Sequence, residues 1–186
     1  YGKKAMKGVD FSGRTGVVTG GAWGMGRVIG GAFAAAGARV AVLDVKHEET
    51  ASLLEELPGE GHLCVTGNAG VEEDVRSFAE KVLECFGRVD VLVNNACITR
   101  RGILSGCSFE EFNEVLRVGV SAPYLLSLLF RDHFSRGASI VNIASTRASM
   151  SQKDTESYSA AKGALTSLTH ALAMSLSPFG VRVNSV

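Results

Sequence analysis

Thr15-Gly16-Val17-Val18-Thr19-Gly20-Gly21-Ala22-Trp23-Gly24-Met25-Gly26 joins a short β-branched run to a glycine-rich loop, after which the apolar spacing becomes that of a helix. The run predicts a strand over Thr15–Thr19, and the period that follows predicts a helix over Gly26–Ala36. Glycines in the connection permit a tight turn and close approach of the backbone to a pyrophosphate, which free N–H groups and the dipole at the helix start stabilise. Taken alone, the loop also admits the plainer reading of a glycine-rich connection. Asp44 adds the second element, because it ends the next predicted strand about twenty residues on. A carboxylate there accepts hydrogen bonds from both hydroxyls of an adenosine ribose and repels a 2′-phosphate, which favours NAD over NADP. No Arg or Lys lies in the loop before Gly26, and Val45 follows Asp44, while Lys46 and Arg39 leave NADP open. A P-loop is disfavoured, since no Gly-Lys-Ser/Thr ends the loop.

Outward from this unit, short β-branched runs alternate with longer helical patterns, the record of βαβ units. Strands are predicted at Thr15–Thr19, Arg39–Asp44, His62–Thr66, Val89–Asn94, Ser139–Ala144 and Val181–Val186. Helices are predicted at Gly26–Ala36, Glu48–Leu57, Glu72–Phe86, Phe109–Phe134 and Ser157–Ser177. Val40-Ala41-Val42-Leu43 and Val89-Asp90-Val91-Leu92-Val93 are nearly continuous apolar runs, as strands buried on both faces require. The expected fold is α/β: a Rossmann-like, doubly wound parallel sheet in three αβα layers, forming one domain over residues 1–186. Because backbone groups of a buried final strand need sheet partners, a further C-terminal portion is expected beyond Val186. Tyr1–Ala5, before Met6, carries no functional motif.

Composition narrows the function classes. The chain has 186 residues, 46% hydrophobic and 20% charged, enough for one well-buried core. Nineteen basic and nineteen acidic residues cancel, so no broad field attracts nucleic acid or anionic lipid. No apolar run approaches the ~18 residues of a membrane span, and no secretory pattern opens the chain. Cys64, Cys85, Cys97 and Cys107 lack metal-pair spacing and lie in or near apolar segments, as buried free thiols do, so a reducing cytoplasm is the expected location. His47, His62, His133 and His170 are scattered, and no metal site is expected.

Tyr158 and Lys162 stand four apart on a predicted helix, on one face. A phenol is a weak proton shuttle at neutral pH, and a neighbouring ammonium favours its ionised form. A snorkelling surface pair is the other reading of that spacing. With Thr19 to Gly26 as Thr-Gly-x-x-x-Gly-x-Gly, Asn94-Asn95-Ala96 as Asn-Asn-Ala-Gly, and Tyr158 to Lys162 as Tyr-x-x-x-Lys, the chain resembles the short-chain dehydrogenase/reductase family. Ser145 stands thirteen residues before Tyr158, the separation of that family's catalytic serine, and Arg182-Val183-Asn184 matches the strand that leads into its Pro-Gly pair.

The resemblance implies an oxidoreductase that moves hydride between NAD(H), with NADP less favoured, and a small alcohol or carbonyl substrate. Ser145 would orient the carbonyl, Tyr158 would act as general acid and base, and Lys162 would tune Tyr158 and bind the nicotinamide ribose. Gly20, Trp23, Gly24, Met25, Gly26, Asp44, Asn68, Ala69, Asn94 and Ala96 would complete the cofactor site with Tyr158 and Lys162. A homodimer or homotetramer is implied through the helices around Val118–Phe130 and Ala164–Leu176. Three positions depart from the family pattern. Gly119 stands where a catalytic Asn belongs, which leaves open a sensor or scaffold that binds NAD(H) with little turnover. Asn113 lies about 9 Å away along the helix axis at ~1.5 Å per residue, on another face. Cys97 replaces the last Gly of Asn-Asn-Ala-Gly, with a small buried side chain expected there, and Asn68 replaces an Asp at the adenine. Arg100, Arg101 and Arg147 are loop charges, read either as solvated or as facing an anionic substrate.

Overall fold

A computed structural model describes residues 9–186, so Tyr1–Ala5 lies outside the described residues. Six strands form one parallel sheet in the order β3-β2-β1-β4-β5-β6. They are β1 (Thr15–Thr19), β2 (Arg39–Asp44), β3 (Leu63–Thr66), β4 (Val89–Asn94), β5 (Phe134–Asn142) and β6 (Arg182–Ser185). The helices are α1 (Gly24–Ala35), α2 (His47–Glu56), α3 (Glu72–Phe86), α4 (Phe109–Leu116), α5 (Ala122–Leu129) and α6 (Glu156–Leu176).

Alternation along the strands builds two cores. Val17, Ala41, Leu43 and Leu92 face Val75, Phe78, Val82, Leu126 and Phe130, on the side of α3 and α5. Their neighbours Val18, Val40, Val42, Val91 and Val93 face Ala34, Ala38, Leu53 and Leu57, on the side of α1 and α2. Helix ends are set locally. Ser108 and Glu111 form a reciprocal capping box at the start of α4, and Gly87 ends α3 in the left-handed conformation at φ 73°. Three acidic residues, Glu72, Glu73 and Asp74, complement the dipole at the start of α3.

The predicted single helix Phe109–Phe134 is corrected. α4 passes into a π turn at Arg117–Ser121, α5 follows, and the chain turns through Arg131–His133 into β5, which begins at Phe134 rather than Ser139. Pro123 supplies a physical reason, since it has no N–H for the carbonyl four residues back, Gly119, and its ring crowds that carbonyl. Phe134 pairs with Val89 and Ser139 with Val91, so the early part of β5 bulges out of register, which no apolar alternation records. His62 falls just before β3, and its Nδ1 accepts the Val40 N–H at 3.1 Å while Nε2 lies 3.0 Å from the Pro58 carbonyl. That is a structural role for this histidine.

β1 lies between β2 and β4, so the chain reverses its direction of travel across the sheet here. The C-terminal ends of β1 and β4 therefore flank a crevice at the topological switch point, where ligands bind in open α/β sheets.

Candidate active site

The glycine loop is held to both neighbouring strands. Gly20 N–H donates to the Leu43 carbonyl at 2.7 Å, and Ala22 N–H donates to Asp44 Oδ2 at 2.9 Å. On the β4 side, Thr19 Oγ1 accepts the N–H groups of Asn95 and Ala96 at 3.2 and 3.1 Å. Asn95 Nδ2 donates to the carbonyls of Thr19 and Gly20 at 3.0 and 2.9 Å. This clamp rests on Asn95, which the sequence motif contained but did not distinguish from its neighbours.

Space in the loop admits only glycine at two positions. A Cβ on Gly26 would lie 2.1 Å from the Gly20 carbonyl oxygen and 2.6 Å from Asn95 Nδ2, and Gly20 itself has φ 62°. Helix α1 begins at Gly24, so Gly24, Met25 and Gly26 form its first turn, with no carboxylate in that turn and no side-chain cap from Trp23. The N–H groups and dipole at this end are thus uncompensated by side chains. A loop in which Gly20, Gly24 and Gly26 bring bare backbone to a helix start fits a pyrophosphate.

At the end of β2, Asp44 is buried, with its Oδ1 accepting the Lys46 N–H at 3.1 Å beside the bond from Ala22. Lys46 turns outward, its ammonium 4.3 Å from the Trp23 ring centroid and 3.2 Å from Glu49. Beneath the loop, Arg27 donates to the Ala22 carbonyl at 2.9 Å and pairs with Glu56 at 2.6 Å, bracing the loop against α2. Sequence reading passed over Arg27, since nothing local marks a basic helix residue as a loop brace.

Other predicted cofactor residues fall in separate settings. Asn68 accepts the Gly70 N–H at 2.8 Å through its side-chain oxygen, and its own N–H donates to Asp74 at 2.7 Å. These bonds leave its side-chain NH2 unspent. Ala69 lines a surface groove of about 370 Å³ with Val75, Arg117, Tyr124 and Leu125. Asn94 turns its side chain into the core, where Nδ2 donates to Asn142 Oδ1 at 2.7 Å and Asn142 donates to Thr169 at 2.9 Å.

The residues with acid–base chemistry meet where β5 gives way to α6. Ser145 Oγ accepts the Arg147 N–H at 3.2 Å, a bond that leaves its own O–H to donate elsewhere. Lys162 is buried, and its ammonium donates to the Ile143 carbonyl at 2.6 Å while lying 5.4 Å from the Tyr158 ring centroid. Burial holds this ammonium below the ordinary lysine range, and the charge available to the nearby Cys97 thiol opposes that shift. Cys97 is exposed rather than the buried side chain the apolar context suggests, and Cys85 is exposed too. Cys97 stands three residues beyond the end of β4, and Cys85 lies in the last turn of α3, on the side turned from the core. The chain's cysteines are all free, and among the described residues no group of His, Cys, Asp and Glu could hold a metal. No described helix is long and apolar enough to cross a membrane.

Gly119 is buried in the π turn, and a Cβ there would lie 3.2 Å from Ala161 Cβ, next to Lys162 on α6. Asn113 spends its amide on the Phe109 carbonyl at 2.8 Å within its own helix. Arg147 donates to the Met150 carbonyl at 3.0 Å, and Arg100 pairs with Glu114 at 2.7 Å.

A six-stranded parallel sheet with a glycine-rich loop over a helix start at its switch point defines a nucleotide-binding α/β protein of the Rossmann class. The chain matches the short chain dehydrogenase family over residues 14–186 and belongs to it. That family binds nicotinamide cofactors and acts on CH–OH groups. An uncharacterized oxidoreductase of Thermotoga maritima is 40% identical over 181 residues, covering 95% of this chain and 70% of that protein. L-fucose dehydrogenase of Bos taurus is 35% identical over 182 residues, covering 96% and 66%. Among solved structures, an apo SCOR enzyme from Clostridium thermocellum superposes with TM-score 0.87 at 43% identity, over 92% of this chain and 70% of that one. A short chain dehydrogenase from Burkholderia cenocepacia in complex with NADP gives TM-score 0.88 at 31% identity, over 94% and 73%.

Proposed function

We propose that this protein interconverts an alcohol and a carbonyl compound using NAD(H), with Ser145, Tyr158 and Lys162 as its catalytic residues. The observation that carries the proposal is the buried Lys162 ammonium, fixed on the Ile143 carbonyl at 2.6 Å and set beside the Tyr158 ring. A snorkelling surface pair would leave that ammonium in water. The glycine cradle, the start of α1 and Asp44 would hold the dinucleotide, with the free amide of Asn68 toward the base and Lys162 toward the nicotinamide ribose. Bound there, the nicotinamide supplies or takes up hydride.

The chain's own residues manage the proton and the orientation. Ser145 O–H, unspent by the bond from Arg147, donates to the substrate oxygen and holds it in place. During reduction Tyr158 gives its phenolic proton to that oxygen, and during oxidation it removes the proton. The Lys162 ammonium offsets the negative charge left on the Tyr158 oxygen. A small alcohol or carbonyl compound is the substrate class.

Asp44 supports NAD. Its carboxylate is fixed by two backbone N–H groups, and a 2′-phosphate brought to the end of β2 would meet that charge. Lys46 supports the second reading, since its ammonium lies over Trp23 beside the same loop, and the Burkholderia relative is a complex with NADP. Comparing dissociation constants for NADH and NADPH decides between them: NADH should bind at least about tenfold more tightly, a difference of ~1.4 kcal/mol. Equal affinities would remove the preference.

Hydride-transfer assays over a broad alcohol and carbonyl panel test the activity. Tyr158→Phe should retain cofactor binding and lose turnover by about a hundredfold or more, the typical range for a positioned proton donor. If no panel member gives Tyr158-dependent turnover while NAD(H) still binds, the sensor or scaffold reading raised by Gly119 takes its place. A homodimer or homotetramer is proposed on the family resemblance, with Tyr124, Leu128 and Met174 presenting exposed apolar surface on α5 and α6.

A further inference from the structure

Two carboxylates join the loop after β4 to the segment that starts α6. Asp154 Oδ1 accepts the N–H groups of Leu104 and Ser105 at 2.9 and 3.3 Å, and its other oxygen accepts the Ser105 hydroxyl. Glu156 Oε2 accepts the Ile103 N–H at 3.1 Å. Ile103–Ser105 is a single 3-10 turn, whose leading amides have no partners inside so short an element. The carboxylates of the other loop supply those partners.

Backbone geometry at the junction leaves little freedom. Asp154 has φ 67°, the one non-glycine residue with positive φ among the described residues, a setting that persists only where surrounding structure fixes it. Gly102 is buried against the same pair, and a Cβ on it would lie 2.3 Å from both Asp154 Cα and Glu156 Oε2. Its φ of −99° is open to any residue, so space alone requires glycine there. The Gly102 carbonyl also accepts the N–H groups of Ser105 and Cys107 at 3.1 and 3.0 Å, closing the turn on itself.

What the junction connects gives it a consequence. The loop after β4 begins at Asn95 and Ala96, clamped to Thr19 of the glycine loop. The other loop begins at Ser145 and ends two residues after Asp154, where Glu156 starts the helix that carries Tyr158 and Lys162. We infer that Asp154, Glu156 and Gly102 form a latch that makes these two loops one rigid wall of the substrate cleft, with Asp154 and Glu156 acting as positioning residues for substrate. The inference rests on the proposed oxidoreductase reading, because that reading is what makes the cleft between these loops a substrate site.

Hydrogen exchange and kinetics on the intact protein test it together. Gly102→Ala should speed amide exchange across residues 155–159, in the opposite loop, by about tenfold or more, and Asp154→Ala should do the same at residues 103–105. With any substrate that gives Tyr158-dependent turnover, both variants should raise KM about five- to tenfold and leave kcat and the NAD(H) dissociation constant within about twofold. Asp154→Asn keeps a side-chain oxygen to accept the amides and should restore most of the wild-type KM. Unchanged exchange across the junction in both single variants overturns the latch, as does a KM unchanged in variants whose exchange has risen. If the wild type turns over nothing, the oxidoreductase reading fails, and unchanged exchange across the junction still overturns the mechanical link by itself.

Discussion

Gly26 packs so closely on Gly20 that a Cβ at residue 26 would lie 2.1 Å from the Gly20 carbonyl oxygen. No side-chain rotation relieves that overlap, since both partners are backbone. Gly26→Ala should therefore displace the loop and weaken NAD(H) binding at least about tenfold, while overpacking lowers stability by about 1–3 kcal/mol. Gly24 has φ 54° but open space around its Cβ position, so Gly24→Ala meets conformational strain alone, about 1–2 kcal/mol. Calorimetric titration with NADH and thermal melts of both variants check the contrast. If Gly26→Ala binds cofactor as tightly as Gly24→Ala, the steric account of the cradle is wrong.

Burial of Lys162 carries a stability consequence with a definite sign. Its folded-state pKa is lowered, first by burial, with Cys97 acting in the opposite sense. In the window between that lowered value and the unfolded value near ~10.4, the unfolded chain holds more protons than the folded one, so stability rises with pH. Below the window the buried charge opposes folding by a constant amount. Lys162→Met removes both the charge and the window. Thermal melts of wild type and variant from neutral pH upward should show wild type gaining on the variant as pH climbs toward ~10, whereas a pH-independent difference would contradict it.

The extent to which the sequence foretold this molecule follows the range of the interactions involved. Val40-Ala41-Val42-Leu43 becomes β2 with the predicted bounds because burial on two faces demands a continuous apolar run, and that demand is written locally. The glycine loop and Tyr158 with Lys162 were legible for the same reason, since each is a spacing within one turn or helix. Thr19 and Asn95, 76 residues apart, form a clamp whose existence depends on β1 and β4 being neighbours, which no local pattern states. The junction of Gly102 with Asp154 is hidden likewise, because a buried glycine with ordinary φ resembles any loop glycine. The helix over Phe109–Phe134 was overextended because apolar periodicity continues through the π turn, and Pro123 was the local signal against it.

Cys64 and the two exposed thiols should separate in reactivity. Burial raises the Cys64 pKa to about 11, so it stays a thiol under ordinary conditions. At pH ~8 a pKa near 11 leaves about one thiolate in a thousand, against roughly a quarter for a free thiol near ~8.5. Alkylation of the native protein followed by peptide mass spectrometry should therefore modify Cys64 at least about tenfold more slowly than a free thiol, the higher nucleophilicity of its thiolate offsetting part of the lost fraction, with Cys85 and Cys97 taking the label first. Rapid labelling of Cys64 in folded protein would mean that the edge strand β3 leaves this half-buried thiol more open to solvent than its packing indicates.

Gly119 poses the sharpest question about turnover. Its missing Cβ lets the π turn lie against α6 beside Lys162, and an added Cβ would meet Ala161 at 3.2 Å, closer than ordinary contact. Pro123 cannot offer an N–H to the Gly119 carbonyl, so that oxygen is spared the usual helical bond from four residues on. A proton path from Lys162 that uses a backbone oxygen here needs no amide side chain. Gly119→Asn should thus lower stability by about 1–3 kcal/mol through overpacking and leave kcat unchanged or reduced. Gly119→Ala supplies the control, separating the Cβ contact from the chemistry of the amide. Turnover that rises more than about tenfold in Gly119→Asn but not in Gly119→Ala would show that the natural chain lacks a relay group, and would favour a cofactor-binding role with little turnover over catalysis.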